Sequence, residues 1–318
     1  RETHPIFFHH LLKGVRRGAR LFAFDPRRTS SARWADRWLG LDVGTDVAMA
    51  NAMGREIVAA GLAHLEFIQR ATSGFDAWYA SVESCTLEWA EAQTGVPKEA
   101  IREAAHVYAR APRAMVCWTL GITEHHNAVD NVLSLINLAL VAGHVGRYGS
   151  GINPLRGQNN VQGGGDMGAL PDRLPGFQHV ENDPLRRKFE AKWGLPVPAE
   201  RGLHLTGMFE AMEHKTLTAL YVIGENPAQS EADQTRAGGL LQDLEHVVVQ
   251  DIFLTKTAEL ADVVLPAASG WNETDGTVTN SERRVQRVRR AMAPPGEARD
   301  DLRIIHDLAL KMGRDFGP

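Results

Sequence analysis

Residues 217–266 read LTALYVIGENPAQSEADQTRAGGLLQDLEHVVVQDIFLTKTAELADVVLP, and they contain three short apolar runs separated by more polar segments. The runs at 217–223, 246–251 and 261–266 have the length and apolar content of buried strands. The segment at 229–241 has the length of a helix, and parallel strands need such a crossover between them. This stretch therefore predicts a parallel α/β sheet rather than a β-sandwich.

The beginning of the chain shows the same order of helix, tight turn and buried strand. A helix is predicted at 5–15 with Thr3 as its N-cap, Gly18 ends it, and an apolar strand follows at 20–24. The remaining apolar patterns predict strands at 39–43 and 114–118 and helices at 47–60, across 62–110 and at 129–145.

These patterns predict the α/β class, with two Rossmann-like, doubly wound domains of mainly parallel sheet at residues 1–156 and 157–318. The second domain opens with a run at 156–178 that has no apolar period, so neither helix nor strand is expected there. The rest of this domain is expected to contain a surface excursion at 179–203, an arginine-rich edge strand at 281–290 and a final helix at 300–312.

The predicted strands end in short polar turns, and open α/β sheets bind ligands at that edge. Each turn by itself is also explained as a simple corner or a helix cap, because proline forms turn corners and threonine, asparagine and aspartate cap helices. The turn residues that are candidate ligand contacts are Asp25, Pro26, Arg27, Arg28, Thr29, Gly44, Thr45, Asp46, Gly224, Asn226, Gln250 and Asp251.

The run at 156–178, RGQNNVQGGGDMGALPDRLPGFQ, is rich in glycine and side-chain amides. Glycine lets backbone N–H groups approach a ligand closely, and each amide both donates and accepts hydrogen bonds. Arg156 is the only permanent cation in the first half of the run, and a planar guanidinium is suited to binding a carboxylate through two parallel hydrogen bonds. The alternative is a long connection between domains in which Arg156 is solvated.

Four segments carry a resemblance to a known family: NPLRGQNNVQGGGDMGALPDRLPGFQ, VIGENPAQSEAD, VVQDIFLTKTAELADVVLP and GWNETDGTVTNSERRVQ. They resemble the catalytic subunit of the molybdenum- or tungsten-containing formate dehydrogenases. The resemblance implies interconversion of formate and carbon dioxide, with Arg156 binding the formate carboxylate. It also implies a bis(molybdopterin guanine dinucleotide) cofactor carrying molybdenum or tungsten.

The same resemblance assigns the polar turns to guanosine or phosphate groups of that cofactor. It adds five further cofactor contacts, which are Leu120, Glu124, Gln158, Thr274 and Asp301. Glu124 stands where the family pattern GxTQ has glutamine, and a carboxylate would repel an anionic cofactor unless it is protonated or paired.

In the resembled family a cysteine or selenocysteine binds the metal, a neighbouring histidine assists, and a 4Fe-4S cluster lies N-terminal to both. No segment here matches these features, so the chain is expected to be an inert central fragment of an enzyme whose redox partner carries iron-sulfur or flavin. The alternatives are an assimilatory nitrate reductase or related enzyme, a noncatalytic scaffold like the molybdopterin-fold subunit of respiratory complex I, and a generic nucleotide-binding module.

Composition argues against nucleic-acid-binding, membrane-spanning and metal-ligating roles for this chain. The chain has 318 residues, 43% hydrophobic and 23% charged, with a net charge of −4, which does not favour nucleic acid as a partner. No apolar run approaches the roughly 20 residues of a membrane span, and cytoplasmic location is expected. Cys85 and Cys117 lack the spacing of a metal site, and the pair His125-His126 has no third ligand at a suitable distance in sequence, so no metal-ligating residue is predicted.

Overall fold

The computed structural model describes residues 1–270, 272–315 and 317, so Trp271 of the GWNETDGTV motif lies outside the described residues. The chain divides into two compact units, Arg1–Gly157 and Gln158–Pro318. We call them unit 1 and unit 2. Both mix α-helices with small sheets, and most strands of the described chain pair in parallel, which is the predicted α/β class.

Unit 1 is mainly helical. Its helices are α1 (Pro5–Val15), α2 (Asp46–Ala59), α3 (Leu65–Ala71), α4 (Phe75–Val82), α5 (Leu87–Thr94), α6 (Lys98–Arg110), α7 (Leu120–Thr123) and α8 (Ala128–Val141). Helix α2 packs against α5, α6 and α8, and its Ala52 and Ile57 are fully buried. Helix α2 also lies close to α4, since a Cβ at Gly54 would lie 3.0 Å from the ring of Trp78 on α4.

Two pairs of parallel strands complete unit 1. They are β1 (Phe22–Phe24) with β2 (Arg37–Leu39), and β3 (Met115–Trp118) with β4 (Gly151–Pro154). The strand predicted at 39–43 was misplaced, because the pairing with β1 ends at Leu39 and the next residues turn towards α2. The predicted cap at Thr3 was also wrong, because His4 occupies the N-cap of α1 and no side chain caps it.

Unit 2 is organised on a three-stranded parallel sheet in the order β7 (Ala219–Ile223), β8 (His246–Asp251), β9 (Val263–Pro266). Val247 and Val249 of β8 are buried in the centre of this sheet. The helix predicted at 229–241 is two helices, α12 (Pro227–Ser230) and α13 (Gln234–Gln242). The break is stabilised by Asp233, which caps α13 by accepting a hydrogen bond from the Arg236 N–H at 2.9 Å.

The run at 156–178 was expected to lack regular structure, and this was wrong. It contains α9 (Val161–Asp166) and the two-residue strand β5 (Arg173–Leu174), which pairs antiparallel with β6 (Gln178–His179). Helix α9 forms despite three glycines because Asn160 bridges it to β10 (Gly276–Thr279), accepting from the Thr279 N–H at 3.0 Å and donating to the Thr277 carbonyl at 3.3 Å. Tertiary hydrogen bonds here override helix propensity.

The remaining elements of unit 2 are α10 (Asp183–Trp193), α11 (Leu205–Glu213), β11 (Val285–Val288) and α14 (Asp301–Lys311). Helix α10 lies inside the surface excursion predicted at 179–203. Strand β11 lies inside the arginine-rich segment at 281–290 and pairs antiparallel with β10, which precedes that segment. Among the described residues, no helix combines the length and hydropathy needed to span a bilayer.

Candidate functional site

The first candidate turn of unit 1 is built at the carboxyl ends of β1 and β2. Asp25 folds back on itself, with its Oδ1 accepting from the Arg27 N–H at 2.8 Å, and its carbonyl accepts from Trp38 Nε1 at 2.7 Å. The Arg28 guanidinium lies 5.9 Å from the centre of the Trp38 ring. The backbone of this turn is therefore fixed, while Pro26, Arg27 and Arg28 are exposed to solvent.

The second candidate turn precedes α2. Gly44 has φ +86°, a left-handed conformation that favours glycine, and a Cβ there would meet no atom within 4 Å. Thr45 is the N-cap of α2 but donates its hydroxyl to the Asp42 carbonyl at 2.6 Å instead of capping with its side chain. Asp46 lies in the first turn of α2, 3.9 Å from Nε2 of His125, and remains partly accessible. The helix N-terminus stabilises its negative charge.

A third turn of unit 1 carries Leu120 and Glu124. Leu120 is 60% exposed, and the Glu124 N–H donates to its carbonyl at 2.9 Å. Glu124 is exposed, and its carboxylate makes no ion pair within the described part of the chain. The nearby Asn131 is 1% exposed and donates to the Ile122 carbonyl at 2.9 Å, which fixes this turn from beneath.

Two buried amide oxygens next to that turn have no hydrogen-bond donor among the residues that the structure describes. They are Oδ1 of Asn127 and Oδ1 of Asn131, one helical turn apart at the start of α8. A buried acceptor without a donor is costly, so these oxygens are suited to receive N–H groups from a bound molecule or water.

Arg156 lies two residues beyond Pro154, the last residue of β4. The ladder between β3 and β4 pairs Trp118 with Pro154 and is extended by the Leu155 N–H, which donates to the Trp118 carbonyl at 2.7 Å. The side chain of Arg156 is exposed, and no described residue accepts a hydrogen bond from its guanidinium. Its five donors are therefore available to an anion. Gln158 is also exposed but belongs to unit 2.

In unit 2, a turn follows β7. Gly224 has φ +62° with no atom within 4 Å of a Cβ placed there, and its N–H donates to the Gln250 carbonyl at 2.9 Å. The Asn226 amide oxygen accepts from the N–H and the hydroxyl of Thr257 at 3.1 and 2.8 Å. Thr257 is fully buried, so it holds the turn rigid from below.

The turn predicted at Gln250 and Asp251 was wrong, because both residues continue strand β8. The side chain of Gln250 is fully buried, its amide oxygen accepts from the Tyr221 hydroxyl, and its Nε2 donates to Asp301 Oδ1 at 2.5 Å. Burial, and then the charge of Asp301, raises the pKa of Tyr221 above its usual value, so the hydroxyl stays a donor. The structure thus brings together Gln250 and Asp301, which are 51 residues apart in sequence.

Asp251 and Thr274 complete the positions in unit 2. Asp251 accepts from the Phe253 N–H at 3.1 Å and is partly exposed. Thr274 lines a cavity of about 390 Å³ together with Asp300, Arg290 and Arg303. Asp300 caps α14 and Asp301 lies in its first turn, so this cavity opens beside a helix N-terminus.

Several contributors were missed because no local pattern marks them. In the sequence, Tyr221 lies in the strand predicted at 217–223, Asn131 lies in the helix predicted at 129–145, and Thr257 lies between two predicted strands. The only sequence signal was a polar side chain inside an otherwise apolar or helical segment, and that signal gains meaning once its partner is known. No group of three or more His, Cys, Asp or Glu side chains able to hold a metal is found among the described residues. Cys85 is buried and Cys117 exposed, both as free thiols.

Comparison with known proteins gives consistent results. The model of the molybdopterin oxidoreductase family matches residues 1–311. The F420-dependent formate dehydrogenase subunit alpha of Methanocaldococcus jannaschii is 45% identical over 98% of this chain and 46% of its own length. Formate dehydrogenase H of Escherichia coli is 40% identical over 98% of this chain and 44% of its own length. The chain therefore spans about half the length of these curated relatives.

A solved structure supports the fold independently. Acetylene hydratase from Pelobacter acetylenicus superposes with a TM-score of 0.76 at 26% identity, over 96% of this chain and 45% of that protein. Because the family model covers nearly the whole chain, the conclusion does not depend on a short motif. The chain belongs to the molybdopterin oxidoreductase family, and this membership implies a molybdopterin cofactor.

Proposed function

We propose that the protein containing this chain oxidises formate to carbon dioxide, or catalyses the reverse reaction, at a molybdenum or tungsten centre. The observation that carries the proposal is Arg156, an exposed guanidinium without a protein acceptor in the described structure, placed at the carboxyl end of the parallel pair β3 and β4. The formate dehydrogenases that share 40–45% identity with this chain support the choice of substrate.

The described residues fit a bis(molybdopterin guanine dinucleotide) cofactor. The open left-handed glycines Gly44 and Gly224 leave space for a ligand next to the backbone at one turn in each unit. The Asp46 carboxylate would accept the paired N–H groups of a guanine base, and the unpartnered oxygens of Asn127 and Asn131 would accept N–H groups of a pterin. In unit 2, Asp301 and the cavity beside Thr274 would receive a second guanosine end.

When bound, this cofactor supplies the metal that takes two electrons from the substrate. Arg156 would bind both oxygens of formate through parallel N–H···O bonds. This grip directs the formate C–H bond straight away from the guanidinium, so it orients the bond that must break. The balanced change is HCOO⁻ to CO₂, H⁺ and two electrons. Carbon dioxide is neutral, so its charge-assisted bonds to Arg156 are lost and release is favoured.

The proposed reaction also needs groups that no segment of residues 1–318 matches. We propose that a cysteine or selenocysteine ligand, a neighbouring histidine and a 4Fe-4S cluster are contributed by other segments of the protein. Electrons would then pass to a partner carrying iron-sulfur or flavin. The segment at 1–318 by itself is expected to be inactive, and formate oxidation by the isolated segment would contradict this.

Formate-dependent dye reduction by the full-length protein tests the proposal, with wild type compared to Arg156→Lys and metal content measured in both. Lysine keeps the positive charge but lacks the planar fork, so the rate is expected to fall by about two orders of magnitude while metal is retained. An unchanged rate in Arg156→Lys would remove Arg156 from the substrate site.

The same preparation separates the alternatives. Reduced dye that is oxidised by nitrate, with no response to formate, would indicate a nitrate reductase. Full-length protein that is folded and contains neither molybdenum nor tungsten would indicate a scaffold subunit.

A further inference from the structure

The backbone of Arg156 is held by a residue from the beginning of the chain. Nε2 of His4 lies 2.7 Å from the Arg156 carbonyl oxygen, across 152 residues of sequence. This is the only hydrogen bond to Arg156 within the described residues, because the β3–β4 ladder makes its last contact at Leu155. Gly157, which follows, is exposed and has a wide choice of backbone conformation.

The His4 ring is itself held in one orientation. Thr3 Oγ1 lies 2.9 Å from Nδ1 of His4. A carbonyl oxygen only accepts, so Nε2 must carry the proton, and in the neutral ring Nδ1 then accepts from the Thr3 hydroxyl. His4 is also the N-cap residue of α1, and the buried Phe8 anchors that helix while its N–H donates to the His4 carbonyl at 3.0 Å.

We propose that His4 is a positioning residue for substrate binding, acting through the Arg156 carbonyl with its tautomer selected by Thr3. The inference rests on the proposed function of Arg156. Fixing this carbonyl restricts rotation about the Arg156 backbone bonds and so restricts where the long side chain can place its guanidinium. A shift of about 1 Å in such a group lowers a rate by on the order of a hundredfold.

The test compares formate kinetics of the holoenzyme in His4→Leu, His4→Gln and wild type, with His10→Gln as the control on the exposed side of the same helix. We expect His4→Leu to raise KM for formate about ten- to a hundredfold with metal content unchanged. His4→Gln, which keeps an N–H donor at similar reach, should restore most of the affinity. His10→Gln should match wild type.

The KM value distinguishes positioning from a structural role. A structural defect reduces the fraction of active enzyme, which lowers kcat per protein and leaves KM unchanged. A KM in His4→Leu within twofold of an active wild type would overturn the inference and leave the proposed function intact. Wild-type holoenzyme without formate oxidation would overturn both.

Two further measurements keep the inference testable should His4→Leu fail to fold. Thr3→Val removes the donor to Nδ1 and is expected to raise KM by a smaller factor than His4→Leu does. Nitrogen-15 spectra of labelled histidines, assigned by their loss in His4→Gln, should show His4 with its proton on Nε2. A proton on Nδ1 instead would overturn the assignment.

Discussion

The contact among Tyr221, Gln250 and Asp301 gives a quantitative prediction for Tyr221→Phe. Gln250 is fully buried, and the Tyr221 hydroxyl is the donor to its amide oxygen. Removing that hydroxyl leaves a buried acceptor unpaired, which costs about 1–3 kcal/mol. A flip of the amide does not help, because it would place the amide oxygen against the Asp301 carboxylate, which now accepts from Nε2 at 2.5 Å.

For a unit of this size, that loss corresponds to a fall in melting temperature of about 2–12 °C. The free energy of unfolding would be measured by urea titration at pH 7.5, following the transition of unit 2. Tyr148→Phe controls for the loss of a tyrosine hydroxyl as such, because Tyr148 lies in unit 1 and is 91% exposed, and this substitution should leave every urea transition within about 0.5 kcal/mol of wild type.

The pH dependence gives a second readout of the same contact. Burial and the Asp301 charge raise the pKa of folded Tyr221 above the unfolded value near 10. Below pH 10 the contribution of this group is therefore fully present, and it is lost as pH rises from 10 through the folded pKa. The deficit of Tyr221→Phe should shrink above pH 10. A variant as stable as wild type at pH 7.5, or a deficit that is constant from pH 8 to 11, would refute the reasoning.

Two further predictions concern stability. Gly168→Ala should destabilise unit 2 by about 1–3 kcal/mol in the same urea titration, because Gly168 has φ +88° and a Cβ would lie 2.9 Å from the Leu174 carbonyl carbon. Gly164→Ala is the control and should be neutral or stabilising, because Gly164 has a helical backbone and open space around the added Cβ. Burial lowers the pKa of His144, so its contribution is complete above pH 6.5 and is lost as pH falls through the folded pKa. His144→Gln should therefore flatten the decline in unfolding free energy between pH 7 and 5 by up to about 1.4 kcal/mol per pH unit, and equal slopes in both proteins would contradict this.

Local sequence patterns were sufficient to predict those strands and helices whose burial or end cap is marked by their own residues. The strand within 246–251 was predicted because the valine-rich run indicates burial, and Val247 and Val249 of β8 are buried, although β8 also includes Gln250 and Asp251, which were expected to form a turn. The final helix predicted at 300–312 agrees with α14 to within one residue at each end. Its start is marked locally, because Asp300 caps the helix. The polar turn predicted after the strand at 217–223 was also confirmed, because Gly224 and Asn226 follow β7, which ends at Ile223.

Elements that depend on distant partners were predicted poorly. Helix α9 lies in a glycine-rich segment whose propensity opposes it, and it forms through Asn160, which is bonded to a strand 117 residues away in sequence. The break between α12 and α13 depended on whether Asp233 caps a new helix or sits inside a continuous one, and both readings fit the pattern.

The fold class, the family and the substrate-binding candidate Arg156 could be predicted before any coordinates were known, because each depends on local composition or on a long motif. The groups that hold Arg156 and its neighbours in place became known from the folded chain. His4 bonds to the Arg156 carbonyl across 152 residues, and Gln250 to Asp301 across 51. Hydrogen bonds of this kind leave no periodic trace in the sequence, since their strength depends on burial and on the distance between atoms that only folding brings together.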